Sequence, residues 1–274
     1  MSRIDRAFAR ARDQGRAAFV PFITAGFPDP ERFPAYAEAL LRHADVLEVG
    51  LPFSDPLGDG PTIQRASEAA LRCGVDTERT LAMVAELRRG TDTAIAVMTY
   101  YNPVFCFRHG GEAGFVRALR QVGADGMILP DLPPDEAGAL LPAAREADLD
   151  TVFLVAPTST ERRIATVTEA CRGFVYAVSV TGVTGERASL PEDVSDLVAR
   201  TRAASGLPVA VGFGVASRAS AARVAAVADG VVVGSALIRA IQDEAEAGHP
   251  SGATERVAAL AGELAAGCRR EPAA

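Results

Sequence analysis

A closed (β/α)8 barrel of the TIM type is the architecture this 274-residue sequence predicts. Three observations carry it. Short, apolar, largely β-branched runs begin near Phe19, Val46, Ala94, Gly126, Thr151, Phe174, Pro208 and Gly230, as strands buried on both faces should read. Ala- and Arg-rich segments of helical period separate them. No G-x-G-x-x-G follows the first run, and the glycines suited to phosphate come late in the chain, which ranks the barrel above an open doubly wound sheet.

The elements follow in order. Ser2 to Gln14 reads as a helix, because Ser2 with Asp5 makes a capping-box start and Ile4, Ala7, Phe8 and Ala11 form an apolar stripe. The spacing predicts further helices over 31–43, 77–89, 112–122, 135–147, 161–171, 191–205, 217–226 and 235–247. An extra helix, 62–72, follows the second strand, and a C-terminal helix spans 254–266. The N-terminal and C-terminal helices are expected to pack outside the barrel. One domain is expected over 1–274, with 1–16 as the N-terminal helix, 251–274 as the C-terminal helix and tail, and 271–274 frayed. Successive strand starts at Val46 and Ala94 lie 48 residues apart, and those at Phe174 and Pro208 lie 34 apart. Both long intervals follow strand C-termini, the face where this fold carries its chemistry.

The composition excludes several classes. At 49% hydrophobic and 23% charged the chain is ordinary for a globular protein. A net charge of −7 argues against general nucleic-acid binding. No apolar run reaches membrane-spanning length, and Met1 to Arg12 lacks a signal-peptide core, so a cytoplasmic location is expected. Cys73, Cys106, Cys171 and Cys268 form no C-x-x-C pair, and His43, His109 and His249 are scattered. No metal site is expected, and proton transfer falls to carboxylates.

The stretch from Glu48 to Pro61 reads Glu-Val-Gly-Leu-Pro-Phe-Ser-Asp-Pro-Leu-Gly-Asp-Gly-Pro. It sets one acid, Glu48, inside an apolar strand and two more, Asp55 and Asp59, on a loop too rich in Gly and Pro to be helix or central strand. Desolvation would raise the pKa of Glu48 and suit it to proton transfer; the alternative is a structural acid near the barrel rim. Asp59, between two glycines, also reads as a plain turn residue. Gly212-Phe213-Gly214 and Gly234-Ser235 end the seventh and eighth strands. With Gly185 they suit a phosphate held by backbone N–H groups; the alternative is tight turns alone. Phe22, Met98, Tyr100, Ile128, Phe153 and Val232 lie in or just after different strands. They read as core one by one and as a pocket for a flat aromatic substrate as a set.

The chain resembles the tryptophan synthase alpha subunit family from the first helix to the last strand. The likeness rests on 19–24 (Phe-Val-Pro-Phe-Ile-Thr), 47–64, Tyr100-Tyr-Asn-Pro103, Asp131-Leu-Pro133, Tyr176 with 181–185, Gly212-Phe-Gly214 and Gly234-Ser235. The resemblance implies retro-aldol cleavage of indole-3-glycerol phosphate to indole and glyceraldehyde 3-phosphate. It places the catalytic residues on Glu48, Asp59 and Tyr176, and the phosphate site on Gly185, Gly212, Phe213, Gly214, Gly234 and Ser235. The indole pocket falls on Phe22, Tyr100 and Ile128, joined by Phe153 and Val232 from the strand reading. The resemblance also implies an α2β2 complex, in which Pro52, Asp55, Asn102 and Pro133 face a β subunit that carries pyridoxal phosphate, with no cofactor in this chain. Val180, Ala216 and Pro130 depart from some members, which bears on pocket shape rather than on the reaction. A stand-alone lyase of the same fold would carry the same residues. A sugar-phosphate isomerase does not explain the 54–61 loop, and intact Glu48, Asp59 and Tyr176 argue against a non-catalytic activator.

Overall fold

The computed structural model describes residues 1–178, 192–212, 214–247 and 252–270. Val180, Gly185, the 181–191 loop, Phe213, His249 and the 271–274 tail lie outside the described residues. Nine strand segments form one parallel ring: β1 (Ala18–Thr24), β2 (Val46–Gly50), β3 (Ala94–Met98), β4 (Gly126–Ile128), β5 (Asp150–Val152), β6 (Leu154–Val155), β7 (Val175–Val178), β8 (Val209–Gly212) and β9 (Gly230–Val233). The order is β5-β4-β3-β2-β1-β9-β8-β7-β6. β5 and β6 are two halves of the fifth predicted run, parted at Phe153. The first half pairs with β4 and the second with β7, so the chain itself closes the barrel at that break.

Around the ring stand α1 (Arg3–Asp13), α2 (Phe33–Leu41), α3 (Pro61–Arg72), α4 (Thr77–Gly90), α5 (Tyr101–Phe105), α6 (Gly111–Gln121), α7 (Leu140–Glu146), α8 (Glu161–Ala170), α9 (Glu192–Ala204), α10 (Arg218–Val227), α11 (Ser235–Glu246) and α12 (Ala253–Gly267). The helix expected over 135–147 is shorter. A 3-10 turn at Pro134–Glu136 precedes α7, and Gly138 in the gap costs about 1 kcal/mol against Ala in a helix interior. The five-residue α5 has too little periodicity to be read from sequence. No helix among the described residues is long and apolar enough to cross a membrane.

Strand parity divides the core in two. Phe19, Leu47, Ile95, Met127, Phe153, Val209 and Val231 face the helices in one cluster. Val20, Val46, Ala96, Ile128, Val152, Phe174, Ala210 and Val232 face inward in another, and that cluster includes Ile4, Ala7, Phe8 and Ala11. The N-terminal helix is therefore not outside. α1 closes the bottom of the barrel and lends its apolar stripe to the interior. Phe8 and Phe174 have ring centroids 5.2 Å apart. A Cβ at Gly230 would stand 2.9 Å from the Phe8 ring, so only glycine lets α1 approach there. The interior strands are rich in Ala and Gly, too small to fill a barrel alone, and the plug supplies the missing volume. α12 does pack outside, against α2, α10 and α11.

Aspartates tie the bottom rim. Asp45, Asp125 and Asp229 each precede a strand and accept the backbone N–H of a residue in the neighbouring strand: Phe19, Ile95 and Val209, at 2.8, 2.9 and 3.0 Å. Each carboxylate also meets arginine: Arg16 on Asp45, Arg3 and Arg88 on Asp125, and Arg202 on Asp229. Asp150 opens β5 and accepts the Ser2 hydroxyl at 2.5 Å, which anchors the cap of α1. Burial pushes its pKa up to about 6, against the Ser2 hydrogen bond.

The Asp125→Ala substitution leaves Arg88, which is only 14% exposed, without its ionic partner and the Ile95 N–H without its acceptor. It is expected to cost about 3 kcal/mol, the lower end for breaking a buried ion pair, in urea unfolding, with catalysis by the folded fraction preserved.

Candidate active site

The C-terminal ends of the strands form the opposite rim. Glu48 stands in the middle of β2, beside Phe22 of β1 and Ala96 of β3. Parity with Val46 turns it inward, two residues nearer the C-terminal end of the strand. It is 1% exposed, and neither carboxylate oxygen has a hydrogen-bond partner among the described residues. Desolvation, and then the charge of Asp59, push its pKa up to about 8. At neutral pH it carries a proton that it can give away. One strand over, the Thr24 hydroxyl at the end of β1 is also buried without a partner.

Asp59 reaches the mouth from the loop between β2 and α3. Burial pushes its pKa up to about 6, and a hydrogen bond from the Tyr100 hydroxyl opposes that shift. At neutral pH the arrangement thus pairs a protonated acid with a carboxylate. A small cleft beside them is lined by Phe22, Leu51, Asp59, Ile63, Met98 and Tyr100, with Ser67 and Thr99. Ile63 and Ser67 lie one turn apart on α3, a spacing visible in the sequence but not read as part of the pocket.

Tyr176 faces the same interior from β7, and Gly212 of β8 makes room for it. A Cβ at Gly212 would lie 2.5 Å from the Tyr176 hydroxyl. Burial raises the tyrosine pKa, reinforced by Glu48 and then Asp59. The hydroxyl therefore stays protonated and available as a donor. Gly212 has a steric role that its reading as a phosphate glycine did not contain.

Of the aromatic-pocket residues, Phe22 and Tyr100 line the cleft, and Ile128 and Val232 face the barrel interior. Phe153 does not. It sits at odd parity, 1% exposed, in the core between barrel and helices. Leu154 takes the inward place, paired with Tyr176. Counting strand parity from Asp150 would have found it.

Gly214 has φ +43°, in the left-handed region that favours glycine. Gly234 caps α11 without a side-chain hydrogen bond, and Ser235 begins that helix. α10 differs, because Ser217 and Ser220 close a capping box over its first turn. Among the described residues, no side chain caps the first-turn N–H groups of α11, the arrangement that receives an anion. Gly185 and Phe213 lie outside the described residues.

On the outer rim, Asp55 and Asn102 are exposed and Pro133 is partly exposed, but Pro52 is buried where the chain leaves β2. Pro52 therefore presents no surface to a partner in this conformation. Two large apolar side chains do: Leu57, 94% exposed on the Asp59 loop, and Phe105, 63% exposed on α5. Among the described residues no group of three or more His, Cys, Asp or Glu could hold a metal.

The sequence profile of the tryptophan synthase alpha chain matches residues 8–269. The chain belongs to the tryptophan synthase alpha chain family. The tryptophan synthase alpha chain of Deinococcus radiodurans is 53% identical over 272 residues, covering 98% of this chain and 96% of that one. The Mycobacterium tuberculosis tryptophan synthase alpha chain is 48% identical, covering 98% and 95%. A crystal structure of M. tuberculosis tryptophan synthase in an open form superposes with a TM-score of 0.88 at 44% identity, covering 99% of this chain and 100% of that one. The tryptophan synthase alpha subunit of Legionella pneumophila gives 0.89 at 34% identity, covering 98% of each. The family's barrel architecture is therefore that of this chain.

Gly212→Ala is expected to displace Tyr176 and lower kcat for the family reaction by about tenfold or more, since small displacements of a positioned group cost rates of that order. Steady-state kinetics, with melting to show retained fold, check it.

Proposed function

We propose that this chain cleaves indole-3-glycerol phosphate to indole and glyceraldehyde 3-phosphate as the α subunit of tryptophan synthase. Within the site, the reading rests on one observation above the others: a buried glutamic acid, without a partner among the described residues, stands beside a loop carboxylate at the mouth of the barrel. The bond to break joins indole C3 to the carbinol carbon of the glycerol phosphate chain. Indole leaves only if C3 is protonated first. Glu48 gives its proton to C3, then takes the proton of the carbinol hydroxyl as the C–C bond breaks and the aldehyde forms. Each turnover thereby returns it to the protonated state.

Protonation at C3 places positive charge on the indole ring nitrogen. Asp59, ionised at neutral pH, stabilises that charge through a hydrogen bond from N1–H. Tyr176 bounds the reacting carbons and directs its hydroxyl into the site. The phosphate rests on the uncapped start of α11 with Gly234 and Ser235, and on Gly212 and Gly214, joined by Gly185 and Phe213. Phe22, Tyr100, Ile128 and Val232 enclose the indole. The chain's own part in the reaction is proton transfer and electrostatics, with no cofactor in this chain. A β subunit docks on the rim around Asp55, Asn102 and Pro133 to complete an α2β2 complex, takes the indole forward with its pyridoxal phosphate, and speeds cleavage by settling the Asp59 loop.

Indole release from indole-3-glycerol phosphate, measured with and without β subunit, tests the proposal. Rapid cleavage only with β supports it, and no indole under either condition overturns it. Glu48→Gln is expected to lower kcat by about 10²–10⁴-fold or more, with KM little changed; near-normal turnover would remove Glu48 from its role. The kcat–pH profile of the wild-type chain is expected to be bell-shaped. Activity falls as pH drops below about 6, where Asp59 takes up a proton, and as pH rises above about 8, where Glu48 loses the proton it must donate.

A further inference from the structure

We infer that Tyr100 is a positioning residue whose hydroxyl, hydrogen-bonded to the Gly58 amide, fixes where the carboxylate of the next residue, Asp59, stands over the barrel mouth. The inference rests on the proposed role of Asp59 and goes beyond the reading of Tyr100 as a wall of the indole pocket. The hydroxyl accepts the Gly58 N–H at 2.9 Å, and Tyr100 and Asp59 line the same cleft, where the tyrosine opposes the rise in the Asp59 pKa. The hydroxyl thus holds the loop one residue before Asp59. The fit is close, since a Cβ at Gly58 would stand 3.1 Å from the Tyr100 oxygen.

Tyr100 itself is firmly placed. It leaves β3 as the cap residue of α5 and is 6% exposed. The next amide, Tyr101 N–H, donates to both oxygens of Asp131 at 2.9 and 3.1 Å. Phe53 stacks on the Tyr100 ring with centroids 5.4 Å apart and planes at 29°. The loop is less constrained. The other described hydrogen bonds of residues 54–60 stay within the loop or run to the adjoining start of α3: Ser54 to Asp55, Leu57 N to Asp55 O, Asp59 N to Pro56 O, Ile63 N and Gln64 N to Gly60 O, and the Gln64 side chain to the Asp59 and Pro56 carbonyls. Tyr100 is the described hydrogen-bond link from this loop to a different strand. A rigid strand end therefore sets the register of a carboxylate carried by a loop.

Removing the hydroxyl frees the carboxylate and deletes a bond that favours its charged form. Two consequences separate this role from that of a pocket wall. The loss falls on kcat, because the indole-facing ring remains. The acid limb of the pH profile moves upward, because the hydrogen bond that holds the Asp59 pKa down is gone.

The test compares wild type, Tyr100→Phe and Gly58→Ala in the complex with saturating β subunit, with kcat and KM for indole-3-glycerol phosphate measured across the pH range. Wild-type turnover establishes the proposed function independently of Tyr100, and its absence would overturn both. With wild type active, Tyr100→Phe is expected to lower kcat by about 10- to 100-fold, the range for a hydrogen bond to a charged group, with KM within about threefold. Its acid limb moves to higher pH. Gly58→Ala keeps Tyr100 but presses a methyl on its hydroxyl, and it is expected to move the same limb in the same direction. An unchanged kcat and pH profile in Tyr100→Phe would overturn the inference. So would a rise in KM with kcat preserved, which is the signature of a pocket wall.

Discussion

The buried carboxyl group of Glu48, without a hydrogen-bond partner among the described residues, is the constraint around which the barrel is arranged. Burying a polar group unpaired costs on the order of 1–3 kcal/mol. A carboxyl group bears that cost best in its neutral form, which is why its pKa rises. A surface loop could not keep it in that state, because any opening would let water in and return the ordinary carboxylate. Glu48 instead occupies the middle of a parallel strand, with β1 and β3 on either side. The strand cannot shift register without moving its entire apolar set to the wrong face.

The same residue type does opposite work at the two ends. At the bottom, Asp45, Asp125 and Asp229 receive backbone N–H groups and arginines. Their charge is compensated, and they lock strand to strand. At the top, Glu48 has neither kind of partner among the described residues, and the Asp59 pKa is held down by a tyrosine hydroxyl. The α1 plug belongs to the first group. It fills the interior below Glu48, so that the cavity opens only toward the strand C-termini. The rigid end thereby supports the strained chemical state of the other end, and a loss at the bottom is a loss of fold before it is a loss of catalysis.

Much of this was legible in the sequence, and the exceptions have physical reasons. Strand runs and helix starts are local, so the Ser2 cap, the helix start at Thr77 and the eight apolar runs emerged close to where they stand. Glu48 and Asp59 were legible because an acid in a β-branched run and an acid between glycines both break local pattern. Phe153 was misplaced because an aromatic residue in a strand buried on both faces carries no sign of which face it takes; only register decides. The place of α1 was misread because its stripe is equally apolar whether it meets a barrel wall or a barrel floor. Gly212 was read by its backbone, yet its clearance concerns Tyr176, 36 positions earlier in the sequence. The Tyr100–Gly58 contact is likewise long-range, and no pattern in either segment announces it.

The division of the two carboxylates between strand and loop has a consequence for control. Glu48 is held by the barrel and has little freedom to respond to anything outside. Asp59 rides a loop whose outward side carries Asp55 and Leu57 in solvent and whose inward side is held by Tyr100. Phe53, at the root of the loop, stacks on the same tyrosine. A partner that grips the exposed side would change how firmly the inward side sits, without reaching Glu48. In the proposed mechanism, stabilising the positive charge on indole depends steeply on where Asp59 stands, so a shift of loop population would be enough to switch turnover. In the proposed reaction the loop carries the charge that needs no proton transfer, and because that charge also raises the Glu48 pKa, the position of Asp59 bears on both carboxyl groups at once.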